Sequence, residues 1–170
     1  MEVKIDSPDP EHVAGEILAR GMNVMLGYYK NPEATAEGLD AEGWYHTGDL
    51  GTMDSQGNLY IRGRSKNMLL GSNGQNIYPE EIEDKLNSQP YVVESVVVQR
   101  GEKLVGLVFP DLDELKAQGL SMHDLDQLMK QNLQELNQQI PTYAKVSALE
   151  MRESEFEKTP KKSIKRYLYK

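Results

Sequence analysis

The sequence has 170 residues, no cysteine and a formal net charge of −8 at pH 7, with 38% hydrophobic and 27% charged residues. The missing cysteines exclude disulfides, thiolate metal sites and a cysteine nucleophile, and they are typical of the reducing cytosol. The negative net charge argues against a general nucleic-acid-binding protein. The three histidines, at positions 12, 46 and 123, are too scattered to predict a metal site.

No segment predicts a membrane span or a signal peptide. No apolar run approaches the roughly 20 residues that cross a bilayer. The first four residues, Met-Glu-Val-Lys, do not begin the apolar core of a signal peptide. We therefore expect a cytoplasmic protein, and its length allows one domain or two small ones.

Residues 1–63 are predicted to form short strands and turns. A strand is expected at 14–20, and Asn31 followed by Pro32 is typical of a capped helical turn. Strands at 48–52 and 59–62 flank a hairpin loop at 54–58. Because such a piece leaves strand edges uncovered, we expect an incomplete, β-rich tail of a larger domain.

Residues 64–170 are predicted to form a small α+β domain. Short strands at 67–70 and 75–78 surround a glycine loop, and Pro79 begins a helix with acidic residues in its first turn. A hairpin of strands at 91–99 and 104–109 follows, in which valine runs indicate burial on both faces.

A long helix begins after Ser121, where Asp124 three positions on is typical of a capping box. Its apolar stripe predicts a core face, formed by Leu125, Leu128, Met129, Leu133, Leu136 and Ile140. A strand at 145–151 and a terminal helix at 163–169 complete the order β-β-α-β-β-α-β-α. This order predicts helices packed on a small, mainly antiparallel sheet.

Two side chains suited to a nucleotide lie on either side of the first predicted hairpin. Asp49 can accept hydrogen bonds from vicinal hydroxyls, and Arg64 can donate a fork of N–H groups to an oxygen-rich ligand. Together they suit a ribose with phosphate nearby. The plain alternative for Asp49 is a turn-capping carboxylate.

Several segments, in compatible spacing, resemble those of the adenylate-forming enzymes, a superfamily of acyl-CoA synthetases, luciferases and peptide-synthetase adenylation domains. The segments are Gly-Glu-Ile at 15–17, Gly-Tyr-Tyr-Lys-Asn-Pro-Glu-Ala-Thr at 27–35, His-Thr-Gly-Asp-Leu at 46–50, Gly-Arg-Ser-Lys at 63–66 and Pro-Glu-Glu-Ile-Glu at 79–83. The form Ser-Asn-Gly-Gln-Asn-Ile-Tyr-Pro at 72–79 is most similar to the long-chain fatty acyl-CoA ligases.

The resemblance implies a parent enzyme that activates a fatty acid with Mg-ATP to an acyl-adenylate and then transfers the acyl group to coenzyme A. Residues 1–63 would end its N-terminal domain, and residues 64–170 would form its mobile C-terminal domain. The sequence has no Thr/Ser/Gly-rich phosphate loop and no Tyr-Gly-x-Thr-Glu segment, which the family uses for triphosphate and metal. We therefore expect the Mg ligand and acyl tunnel in a missing N-terminal domain, and no activity from this chain alone.

Two alternatives remain beside this interpretation. The first is an acyl–acyl-carrier-protein ligase of the same superfamily, which differs in the thiol acceptor. The second is a non-catalytic module that binds a partner. For the ligase we also expect peripheral contact with a membrane, through which a fatty acid would reach the enzyme.

The resemblance also implies roles for single residues. Asp49 and Arg64 would hold the ribose hydroxyls, and Lys66, near Gly63, would be the hinge between two domain arrangements. The loop that would help to shape the pantetheine tunnel consists of small residues, which permit close backbone approach: Gly71, Ser72, Asn73 and Gly74.

The basic C-terminal stretch would supply the adenylation lysine. Residues 158–170 contain six basic residues and no acid, although a solvated helix end is the plain alternative. The family usually has Pro-Lys-Thr-x-x-Gly-Lys here, and an ungapped match places Lys162 at the glycine and Ser163 at the lysine. Lys162 is the preferred candidate for bridging the substrate carboxylate and the α-phosphate, with Lys161 and Lys165 as rivals.

Overall fold

The computed structural model describes residues 1–169 and divides the chain into two compact units. The first unit is Met1–Met68, and the second begins at Leu69. The functional domain boundary expected between residues 63 and 64 stays a prediction. Within residues 1–169 no helix is long and apolar enough to cross a bilayer.

The first unit is a four-stranded antiparallel sheet with one short helix. Its strands are hydrogen-bonded in chain order, and they are β1 (Glu2–Asp6), β2 (Gly15–Arg20), β3 (Tyr45–Met53) and β4 (Leu59–Arg64). Helix α1 (Pro32–Gly38) lies between β2 and β3 in the sequence. The Asn31 side chain accepts a hydrogen bond from the Ala34 N–H at 3.0 Å, so the predicted capped turn is confirmed.

The second unit contains a two-stranded sheet, a three-stranded sheet and three helices. The elements are β5 (Leu69–Leu70), β6 (Asn76–Ile77), α2 (Pro79–Asn87), β7 (Val92–Arg100), β8 (Lys103–Pro110), α3 (Leu112–Ala117), α4 (Met122–Gln139) and β9 (Val146–Met151). Strands β5 and β6 pair antiparallel, as do β7 and β8, whereas β8 and β9 pair parallel. The predicted α+β class, with a mainly antiparallel sheet, is confirmed.

The valine run of β7 contributes to two separate cores, as its sequence predicted. Val97 packs in a large core with α2 and α4, whose fully buried members include Leu86, Leu125 and Leu136. Val96 and Val98 pack in a smaller core with Phe156. Because successive strand residues point to opposite faces, the three-stranded sheet is covered on both of its faces.

The helix boundaries in the second unit follow local capping. The predicted capping box of α4 is confirmed, since Ser121 and Asp124 exchange side-chain and backbone hydrogen bonds. Helix α3 was not predicted. Its N-cap is Asp111, whose side chain accepts from the Glu114 N–H at 2.9 Å, and this Asp-x-x-Glu pattern was the missed signal.

The predicted terminal helix at 163–169 is wrong. The segment instead forms an isolated bridge between Lys158 and Ile164 and a single 3-10 turn at Arg166–Leu168. Ile164 and Tyr169 pack with Phe156 on the second face of the sheet. The backbone of residues 163–165 pairs with residues 157–159 rather than with a following helical turn.

Candidate functional site

Asp49 and Arg64 lie directly opposite each other in the register of β3 and β4. The Arg64 Nε donates to Asp49 Oδ1 at 2.8 Å, and an Arg64 terminal nitrogen donates to the Thr47 carbonyl at 3.3 Å. Arg64 is 60% exposed and Asp49 is 32% exposed, so both are open to a ligand. Asp49 stands inside a strand rather than at a turn, which disfavours the plain turn-capping alternative.

A second carboxylate, Glu16, which was not among the predicted site residues, fixes the backbone just before Asp49. One oxygen of Glu16 accepts from the Gly48 N–H at 2.9 Å, and the other lies 2.9 Å from His46 Nδ1. Gly48 has a φ of +71°, a left-handed conformation that favours glycine. We name residues 46–49, which lie in β3, the Asp49 segment. Glu16 belongs to the Gly-Glu-Ile segment that carries the resemblance, so its sequence signal was present.

Thr47 also supports the Asp49 segment. Its hydroxyl donates to the Ile17 carbonyl at 2.7 Å and accepts from the Asp49 N–H at 3.1 Å. The segment is therefore hydrogen-bonded to β2 through two side chains, Glu16 and Thr47. These bonds hold the backbone of residues 47–49, while Arg64 holds the Asp49 side chain.

The predicted hinge residue Lys66 is exposed and lies in a single 3-10 turn, Ser65–Asn67. Gly63, by contrast, is buried and pairs with Leu50 inside the sheet. The first compact unit ends at Met68, directly after this turn. The turn thus contains few residues and lies at the end of the first unit, and hinges usually occur at a few such terminal positions.

The predicted glycine loop is a tight, exposed turn between β5 and β6. The Gly71 N–H donates to the Gln75 carbonyl at 2.8 Å, and the Gly74 N–H donates to the Gly71 carbonyl at 2.9 Å. Gly74 has a φ of +78°, where a side chain would be strained. Asn73 accepts from the Gln75 N–H at 3.1 Å, and Ser72 is exposed.

The basic C-terminal residues form a hairpin. We name residues 157–165 the lysine hairpin. The Lys165 N–H donates to the Glu157 carbonyl, and the Thr159 N–H donates to the Ser163 carbonyl, both at 2.8 Å. The Lys162 N–H closes the tip by donating to the Thr159 carbonyl at 2.8 Å. Pro160, Lys161 and Lys162 are therefore presented at an exposed tip.

The backbone at Lys162 has the conformation that glycine favours. Its φ is +63°, a left-handed conformation that costs a residue with a side chain roughly 1–2 kcal/mol. Glycine avoids this cost, and the family pattern has glycine at this place. The turn thus retains the glycine conformation while carrying a lysine.

The candidate lysines differ in their partners. Lys165 Nζ lies 3.2 Å from a Glu157 carboxylate oxygen across the hairpin. Lys158, at its base, forms an ion pair with Glu94 of β7. In the described part of the chain, neither Lys161 nor Lys162 has an ion-pair partner, so their ammonium groups are open to an anionic ligand.

Comparison with known proteins identifies the class. The sequence model of the "AMP-binding enzyme C-terminal domain" family matches residues 66–169. The chain belongs to this family, and its second unit is the C-terminal domain of an adenylate-forming enzyme.

Several relatives are named as CoA ligases, and their substrates differ. The chain is 42% identical over 115 residues to 2-methylpropanoate–CoA ligase of Humulus lupulus. This match covers 62% of this chain and 20% of that protein. It is 49% identical over 84 residues to the mitochondrial medium-chain acyl-CoA ligase of Macaca fascicularis. That match covers 49% of this chain and 13% of that protein. The chain thus spans a fifth or less of these relatives.

A solved structure supports the same assignment. The chain superposes on the O-succinylbenzoate coenzyme A synthetase of Bacillus subtilis in complex with AMP, with a TM-score of 0.76 and 25% identity. The match covers 99% of this chain and 33% of that enzyme.

Proposed function

We propose that the chain is the C-terminal portion of an AMP-forming fatty acid–CoA ligase, with a preference for long acyl chains. The observation that carries this proposal is the Asp49–Arg64 pair, held at 2.8 Å in a chain that belongs to the AMP-binding family. One relative is named a medium-chain acyl-CoA ligase, and the Ser-Asn-Gly-Gln-Asn-Ile-Tyr-Pro segment resembles the long-chain ligases.

The proposed reaction has two half-reactions. First, a carboxylate oxygen of the fatty acid attacks the α-phosphorus of ATP, and the bond to pyrophosphate breaks. Then the thiol of coenzyme A loses its proton, its sulfur attacks the acyl carbonyl, and AMP leaves. Pyrophosphate release without coenzyme A therefore reports the first half-reaction alone.

Asp49 and Arg64 would hold the ribose of ATP and of the acyl-adenylate. Arg64 occupies Asp49 Oδ1, which leaves Oδ2 to accept hydrogen bonds from the ribose hydroxyls. Arg64 holds this carboxylate, and Glu16 holds the backbone before it. The Asp49 side chain would therefore need little further ordering when a nucleotide binds.

Lys162 would be the adenylation lysine. Its positive charge would lie where negative charge gathers on the transferring group, which is the arrangement that electrostatic catalysis requires. Lys165 is disfavoured because Glu157 holds its ammonium group. Lys161 shares the exposed tip and remains the rival. A lysine at a backbone position that favours glycine is costly, which supports a role for its side chain.

Lys66 and the glycine loop would serve the change between half-reactions. Lys66 would be the hinge about which the C-terminal domain turns, and residues 71–74 would line the pantetheine path in the second half-reaction. The small side chains and the glycine backbone of this loop allow a ligand to approach closely.

Magnesium would not be held by these residues. In residues 1–169 no three His, Cys, Asp or Glu side chains are grouped closely enough to hold a metal ion. The proposed partners are an N-terminal domain that would carry the metal site and acyl tunnel, together with fatty acid, ATP and coenzyme A. We place this enzyme in the cytoplasm, with peripheral contact to the membrane that supplies its fatty acid.

The test is product analysis with the full-length parent enzyme. With ATP and Mg²⁺, we expect fatty-acid-dependent pyrophosphate release without a thiol, and acyl-CoA after coenzyme A is added. Acyl transfer to a carrier protein but not to coenzyme A would favour the other ligase. Absence of both products from a folded enzyme would contradict the proposal. The 170-residue chain alone should form no acyl-CoA, since its sequence has no phosphate-loop motif.

A further inference from the structure

The lysine hairpin is fastened to the rest of the second unit at both of its ends. Strand β7 is an edge strand of the three-stranded sheet, because the strand order is β7-β8-β9. Before the tip, Lys158 forms an ion pair with Glu94 on β7. After the tip, Arg166 forms an ion pair with Glu83 on α2. The exposed tip thus lies between two fixed points.

Glu83 is an unusual partner because it is buried. Its side chain is 7% exposed, and one carboxylate oxygen accepts from the Val97 N–H of β7 at 2.6 Å. Burial raises the pKa of Glu83, whereas Arg166 and the Val97 N–H oppose that rise. A buried carboxylate costs free energy unless it is paired and hydrogen-bonded. Glu83 therefore needs Arg166.

Arg166 meets Glu83 with both of its terminal nitrogens. One donates to Glu83 Oε1 at 2.8 Å, and the other contacts Oε2. Two parallel bonds define direction as well as distance, so the guanidinium is fixed in orientation. Arg166 directly follows Lys165, whose N–H and ammonium group both contact Glu157 across the hairpin, so the fixed guanidinium belongs to the residue next to the hairpin base.

We propose that Glu83 and Arg166 are positioning residues for the adenylation lysine. They touch no reacting atom. Instead, their buried ion pair fixes the base of the lysine hairpin, so that the ammonium group at the tip is presented in one direction. The catalytic part of this inference rests on the proposed function, whereas the structural part can be tested on the chain alone.

Hydrogen exchange of the 170-residue chain tests the structural part. Three amides report on the hairpin, because their N–H groups bond within it: Thr159, Lys162 and Lys165. In R166Q we expect these amides to exchange at least about tenfold faster, while those of β8 stay protected. The matched control is R100Q, which breaks the exposed Arg100–Glu150 pair and should leave the hairpin unchanged. Unchanged hairpin exchange in R166Q would overturn the proposal.

A second variant covers the case in which R166Q unfolds the unit. R166K keeps the charge but loses the two-bond fork, so the unit should fold and the hairpin amides should exchange at an intermediate rate. If R166K exchanges as slowly in the hairpin as the unchanged chain, the fork does not fix the hairpin and the proposal fails.

The catalytic part is tested in the full-length enzyme by comparing half-reactions. In R166K we expect the kcat for pyrophosphate release to fall about tenfold, with the KM for ATP and the thioester half-reaction from supplied acyl-adenylate nearly unchanged. R166Q should be worse than R166K. Equal loss of both half-reactions would indicate a general structural role and overturn positioning. If the unchanged enzyme releases no pyrophosphate, the proposed function fails while the exchange result still decides the hairpin.

Discussion

The Asp49 segment and the lysine hairpin are built in opposite ways. Asp49 lies opposite Arg64 in the register of β3 and β4, and Glu16 from β2 supports the segment. The lysine hairpin instead depends on Arg166 and Glu83, which are 83 positions apart in the sequence. The first is fixed by the pairing of neighbouring strands, whereas the second depends on ion pairs to Glu94 and Glu83, which are distant in sequence. The difference predicts that substitutions in the two regions will affect different steps.

The largest expected effect is on the lysine hairpin itself. In the full-length enzyme, K162A should slow adenylation by roughly 3–4 kcal/mol in activation free energy, the scale for one lost charge-stabilising donor. Thioester formation from supplied acyl-adenylate should stay near normal. Pyrophosphate release and acyl-CoA formation, measured separately, check this.

The companion variants decide between the lysines. K161A should retain most adenylation, and K165A should lose little because Lys165 is already paired with Glu157. If K162A adenylates normally while K161A or K165A does not, the assignment of Lys162 is wrong.

The next largest effect is on stability. R166A leaves Glu83 buried without its cation, and breaking a buried pair costs about 3–5 kcal/mol. Because Arg166 is 24% exposed, we expect a smaller loss, about 2–3 kcal/mol in the free energy of unfolding of the second unit. Urea unfolding of the chain at neutral pH measures it, and a loss no larger than that of R100A would contradict this account.

The same variant has a predicted pH dependence. Burial raises the pKa of Glu83 above its unfolded value, so its contribution to stability is present below the unfolded pKa and is lost as pH rises through the folded one. Arg166 lowers the pKa of Glu83, so this pKa should rise further in R166A. The pH range over which stability is lost should therefore become wider. R166A should therefore lose more stability at neutral pH than near pH 4, by urea unfolding at both. A constant loss at both pH values would show that Glu83 does not titrate as described.

The contrast between the regions also explains what the sequence could predict. The proximity of Asp49 and Arg64 could be predicted because they lie on either side of one predicted hairpin, and they do pair in register. The capping box at Ser121 and the valine run of β7 were likewise local signals, and both were confirmed.

The missed features depend on distant contacts. Residues 163–169 have helical character locally, but Phe156 and the second face of the sheet draw Ile164 and Tyr169 into a core instead. Glu83 was noted only as part of a motif, since nothing near it in sequence shows that Arg166 will reach it. Glu16 shows its importance only once β2 and β3 are paired.

A smaller effect is expected in the Asp49 segment. E16A removes the acceptor of the Gly48 N–H and the partner of His46, which should raise the KM for ATP about tenfold with little change in kcat. E16Q keeps an oxygen for the Gly48 N–H and should lie between E16A and the unchanged enzyme. A fall in kcat without a change in KM would assign Glu16 to the chemistry rather than to the ribose.

A comparable but more selective effect is expected at the hinge. Proline fixes φ near −65° and removes a backbone donor, so K66P should trap one domain arrangement. We expect one half-reaction to fall about tenfold and the other to change much less. K66A is the control. Equal loss in both half-reactions by a folded enzyme would make Lys66 structural, and no loss would remove the hinge.

The most direct test of the whole account is fatty-acid-dependent ATP–pyrophosphate exchange by the full-length enzyme with one variant from each region. D49A should raise the KM for ATP, because it removes the carboxylate that accepts from the ribose. K162A should lower kcat and leave the KM for ATP nearly unchanged, whereas the exposed-lysine control K103A should change neither. Exchange that is independent of fatty acid, or that K162A and D49A leave at the full rate, would contradict the assignment of this chain to acyl-adenylate formation.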